Sequence, residues 1–91
     1  MITLENTPGE IVMVTAYILT ILKPGTSEKA IQEMRKINHV EKISVVAGEY
    51  DIVVRVQVDT LEELLDVTNK IQMIEGVEKT TTQIIEKEIA L

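Results

Sequence analysis

The residues best equipped for chemistry stand together in one short run, Gly48-Glu49-Tyr50-Asp51. It holds a glycine free to take positive φ, two carboxylates and one of only two aromatic side chains, the other being Tyr17. Such a run can pair an ammonium with a carboxylate, offer main-chain N–H groups to a carboxylate, and wall the site with a ring. The alternative is an ordinary hairpin turn, because Gly and Asp are favoured there for backbone reasons. A second cluster, Thr80-Thr81-Thr82-Gln83, offers hydroxyls to a small polar ligand, or equally the β-propensity and polarity of a solvated sheet face.

The usual catalytic constellations are missing. His39 is the single histidine, and at a joint between elements it reads as a helix-end residue that pairs with the last carbonyls. There is no cysteine and no second histidine to complete a zinc site. The four glycines, Gly9, Gly25, Gly48 and Gly76, mark turns rather than a phosphate cradle. Ser27 and Ser44 have no base at a motif spacing. Most carboxylates, among them Glu28, Glu33, Glu62, Glu63 and Asp66, fall on solvated helix faces.

The elements that position these residues follow from pattern. Residues 1–10 read as an extended tail ending in a turn, and 11–91 as one domain. Ile11 to Lys23 is rich in Ile, Val, Thr and Tyr and predicts a strand, stopped by Pro24-Gly25. Thr26 offers an N-cap to a helix whose apolar face is Ala30, Met34 and Ile37, with Ile31 beside them. Val40 to Ala47 and Ile52 to Val58 predict an antiparallel hairpin across the Gly48–Asp51 connection; the second strand alternates strictly. Thr60 and Glu63 make a capping box before a second helix with Leu61, Leu64, Leu65, Thr68 and Ile71 inward, and Gly76 stops it. Val77 to Ile89 predicts the last strand.

The order β-α-β-β-α-β carries traces of duplication. Val40-Glu41-Lys42 recurs as Val77-Glu78-Lys79, and Met34 and Ile37 match Ile71 and Ile74 at the same offset. Two such halves predict an α+β, ferredoxin-like four-stranded antiparallel sheet with both helices on one face.

The first strand is apolar on both sides: Val12, Val14, Ala16, Ile18 and Leu22 on one, Ile11, Met13, Leu19 and Ile21 on the other. A strand of this kind predicts burial on both faces, hence pairing of the sheet face with a second copy as a dimeric α+β barrel. Mean hydropathy of +0.15 points the same way. Net charge is −6, with nine basic against fifteen acidic residues, which argues against direct DNA binding. No run reaches the ~20 apolar residues of a membrane span. No signal peptide is evident, and the absence of cysteine fits a cytoplasmic home.

Together, the turn Gly48-Glu49-Tyr50-Asp51, the start Tyr17-Ile18-Leu19, the run Gly76-Val77-x-x-Thr80-x-Thr82 and the element order resemble the C-terminal effector domain of the Lrp/AsnC (feast/famine) transcription regulators. That domain is called RAM, for regulation of amino-acid metabolism. The resemblance covers roughly Ile11 to Glu88. Regulators of that family carry an N-terminal helix-turn-helix; about ten residues precede the first strand here, so a stand-alone RAM domain is expected. The resemblance implies dimers through the sheet face and rings of dimers such as octamers. It implies a free amino acid bound between them by Gly48, Glu49, Tyr50 and Asp51, with Thr80 and Thr82 from a neighbour and Tyr17 close by. It implies no cofactor and no catalysis, and full-length Lrp/AsnC regulators as possible partners by mixed assembly. Two other classes stay open on the residues alone. One is a small dimeric ferredoxin-like enzyme of the monooxygenase or isomerase type, for which only His39, Arg35, Arg55, Tyr17 and Tyr50 are available; the other is an oligomerisation module without a ligand.

Overall fold

The computed structural model describes residues 13–91. The expected tail, with Ile11 and Val12, lies outside them. Four strands and two helices follow in the order β1 (Val14–Leu22), α1 (Ser27–Met34), β2 (Val40–Val45), β3 (Ile52–Val58), α2 (Leu61–Gln72) and β4 (Val77–Ile84). The last strand stops five residues short of its expected end, and β2 two residues short.

The strands form one antiparallel sheet in the order β2-β3-β1-β4. The strictly alternating segments take the centre. On β1, every second residue from Val14 to Leu22 is buried and those between are half-buried; β3 repeats the pattern from Ile52 to Val58. The buried set of both strands meets Ala30 and Met34 of α1 and Leu64, Val67 and Ile71 of α2 in one core. Both helices therefore cover one face. Thr20 is the buried polar residue of that core, and its hydroxyl donates to the Ile52 carbonyl at 3.0 Å, which removes the cost of burying it.

The opposite face carries Thr15, Tyr17, Leu19 and Ile21 of β1 beside Val53, Arg55 and Gln57 of β3, in direct register. It is open, and its apolar members are only half-buried.

Two expectations about the helices are corrected. The inner face of α2 is Leu64, Val67 and Ile71; Leu61 and Leu65 are exposed, at 45% and 65%. Leu61 and Leu65 lie off the helical phase that Leu64, Val67 and Ile71 share. Thr26 precedes α1 but gives it no side-chain cap, because its hydroxyl turns back to the Lys23 carbonyl at 2.7 Å. Thr60 caps α2 as expected, its Oγ1 accepting from the Glu63 N–H at 3.1 Å, while the Glu63 carboxylate reaches one residue further back and accepts from the Asp59 N–H at 3.0 Å.

The duplication is visible in the hydrogen bonds. Each helix ends in the same turn: Ile37 N–H to Met34 O and Val40 N–H to Ile37 O in the first half, Ile74 N–H to Ile71 O and Val77 N–H to Ile74 O in the second. The residue before each following strand has positive φ, 79° at His39 and 97° at Gly76. Each also gives its carbonyl to the strand leading into the other half's helix, His39 O to Gln57 N–H at 3.1 Å and Gly76 O to Lys23 N–H at 2.7 Å. Gly76 is required: a Cβ there would lie 2.6 Å from the Thr26 side chain. His39 fills the equivalent place with its Nε2 3.2 Å from Glu63 Oε2. It pairs with the other helix's first turn, not with the carbonyls of the helix it follows.

Candidate functional site

The β2–β3 connection is held at its end by Asp51. Its carbonyl accepts from the Val46 N–H at 3.0 Å, its N–H donates to the Thr20 carbonyl at 2.9 Å, and its Oδ2 accepts from the Leu22 N–H at 2.8 Å. The last bond caps β1 where that strand runs past its partner. Asp51 is thus a structural rivet, with one carboxylate oxygen already committed.

The rest of the turn is left unengaged. Among the described residues, the main-chain N–H groups of Gly48, Glu49 and Tyr50 donate to no other protein group. Gly48 has φ of 154° and no atom within 4 Å of where a Cβ would stand, so its backbone can be approached closely from outside. Glu49 is exposed and Tyr50 half-buried. Three successive free N–H groups beside a glycine, with a carboxylate on either side of the tyrosine, can accept an anionic group and a cationic group at once.

Thr80 and Thr82 face the helices. Their registers, Thr20 with Thr80 and Ile18 with Thr82, put them on the core side of β4. The Thr80 hydroxyl accepts from Gln72 Nε2 at 2.8 Å, and the Thr82 hydroxyl lies 3.4 Å from that of Thr68. Thr80 and Asp51 flank the same end of β1 from opposite sides, two strand spacings or roughly 10 Å apart. One chain does not close them into a common pocket.

Tyr17 is on the open face, between Arg55 and Gln83, three residues and so roughly 10 Å along β1 from Thr20. It joins a cluster that sequence reasoning passed over. Arg55 bonds Glu41, which stands at the irregularity of β2, and lies 3.9 Å from Glu88. Its interaction with the Tyr17 hydroxyl, followed by the fields of Glu41 and Glu88 against some desolvation, raises the guanidinium pKa above its ordinary value. A lone Arg among the valines of β3 is the signal that could have found it.

The fold is an α+β layer of one antiparallel sheet and two helices, and among the described residues no helix is long and apolar enough to cross a membrane. A family model, Lrp/AsnC ligand binding domain, matches residues 15–90, and the chain belongs to that family. The HTH-type transcriptional regulator FL11 of Pyrococcus furiosus is 31% identical over 74 residues, 81% of this chain and 49% of the relative. The chain spans about half the length of the curated relatives it matches. The solved structure of TTHA0845 from Thermus thermophilus is 29% identical with a TM-score of 0.80, over 86% of this chain and 99% of that one. A feast or famine regulatory protein from M. tuberculosis, solved in complex with L-methionine, is 25% identical with a TM-score of 0.71, over 86% of this chain and 53% of its own.

Proposed function

We propose that this chain is a non-catalytic regulatory module that binds a free amino acid between copies of itself and passes the change in assembly to a partner. The observation that carries the reading is the turn: the free N–H groups of Gly48, Glu49 and Tyr50 beside the anchored Asp51. The N–H groups receive the ligand carboxylate. The ammonium meets Glu49 and the Asp51 oxygen that Leu22 does not use. Thr80 and Thr82 of a neighbouring copy, with Tyr17 nearer the sheet face, complete the site. The L-methionine complex of the M. tuberculosis relative supports the ligand class.

Assembly supplies the mechanism. The apolar open face pairs with a second copy, and dimers build a ring such as an octamer. A ligand shared between subunits favours the state that completes its site, by as much as it prefers that state. Full-length Lrp/AsnC regulators, which share this domain, are the natural partners through mixed assembly.

The test compares wild type with Asp51→Asn, which keeps an oxygen for the Leu22 N–H and removes the charge. An amino acid that raises the melting temperature of wild type should fail to raise that of Asp51→Asn. An equal rise in both would remove the turn from the site.

A further inference from the structure

We propose that residues 86–91 are a strap that lies over the polar end of the open sheet face in the single chain and must leave it before a second copy can pair there. The proposal rests on the self-association reading and adds a device that regulates it.

The path of the chain carries the argument. β4 ends at Ile84, and the Ile85 N–H makes one more bond to β1, on the Thr15 carbonyl at 2.8 Å. Among the described residues, no main-chain hydrogen bond joins residues 86–91 to the rest of the chain. A straight continuation of β4 would run on along the edge of the sheet. Glu88 is elsewhere: its Oε1 lies 3.9 Å from the Arg55 Nη2. Arg55 belongs to β3, which is two strand spacings, roughly 10 Å, from β4. It is in register with Tyr17 and shares the open face with it. The segment therefore turns inward over β1 on that side. It covers the polar end of the face and leaves Leu19, Ile21 and Val53 bare.

A partner needs the same ground. Sheets that pair face to face lie roughly 10 Å apart with their side chains interdigitated, and that gap has no room for a further layer of main chain. The strap is also held lightly enough to leave. The Glu88 side chain is 62% exposed within its ion pair, and Ile89 is 73% exposed. An ion pair so open to water is weak and is screened by salt. Arg55 is not orphaned when Glu88 goes, because Glu41 pairs with it from β2. The free chain thus holds its own pairing face partly shut, by a contact that a second copy can displace.

Two full-length variants test this against wild type. Glu88→Gln removes the clasp. Glu86→Gln removes the same charge from the same segment, and Glu86 makes no ion pair among the described residues. Fluorescence-detected sedimentation from nanomolar to millimolar chain, in low salt, reads the dissociation concentration of each, with circular dichroism confirming the fold. One exposed ion pair shifts an equilibrium by up to about fivefold, and each pairing event frees two of them. Glu88→Gln is therefore expected to lower the dissociation concentration by about three- to twentyfold, and Glu86→Gln to leave it near the wild-type value. Salt at roughly 0.5 M should bring wild type to the level of Glu88→Gln. Equal effects of the two variants, or weaker assembly of Glu88→Gln, would overturn the strap and leave self-association standing. Three chains that stay monomeric at every concentration would overturn both.

Discussion

Asp51 does two things at once, and its substitutions separate them. Removing the carboxylate orphans the Leu22 N–H at the end of β1, so Asp51→Ala should cost about 1–2 kcal/mol in chemical denaturation. Asp51→Asn should cost well under that, since an amide oxygen can accept the same bond. Gly48→Ala meets no steric obstacle but must hold a φ of 154°, and should cost roughly 1 kcal/mol. At this scale the run 48–51 was legible from composition alone: a scarce aromatic between two acids after a glycine. The commitment of Asp51 to Leu22 was not, because it depends on β1 extending past β3. The turning of Thr80 and Thr82 toward α2 was hidden for a related reason. Three consecutive threonines show no face until the register with Thr20 and Ile18 is set.

At the scale of elements, the internal repeat predicts an asymmetry. Gly76→Ala would drive a Cβ to 2.6 Å from Thr26 at φ 97°, and should lose at least ~2 kcal/mol. Adding Thr26→Gly should restore part of it, because the obstacle is that side chain. His39 sits at the matching place and already tolerates φ of 79°. His39→Gly trades backbone strain against a half-exposed contact with Glu63, so its stability should stay within about 1 kcal/mol of wild type. Urea denaturation of the three variants reads all of this. The duplicated Val-Glu-Lys motif and the matching pairs Met34/Ile37 and Ile71/Ile74 exposed the repeat in the sequence. The correct face of α2 did not emerge, since Leu61 and Leu65 look like core residues until Val67 fixes the phase. Helix α1 ended early for a similar reason: Ile37 packs on the core from the turn rather than from a further helical turn.

At the scale of the whole molecule, the open sheet face decides what the chain is. Leu19, Ile21 and Val53 form an apolar half of it, next to the charged cluster of Arg55, Glu41 and Glu88, a combination that would give a self-paired face a defined orientation. Leu19→Glu should leave the circular dichroism unchanged and yield a monomer by light scattering, because a carboxylate in an apolar interface is strongly disfavoured while on an open face it costs little. The two-sided apolarity of β1 announced this face from the sequence, whereas the Arg55 cluster needed the neighbouring strands in place. The measurement that bears most directly on the account is a thermal-shift titration of the full chain with each of the twenty amino acids. A ligand at 100 times its dissociation constant should add roughly 2.7 kcal/mol and about 10 °C or more, with one or a few amino acids selected over the rest. An unchanged melting temperature with all twenty at millimolar concentration would contradict the account.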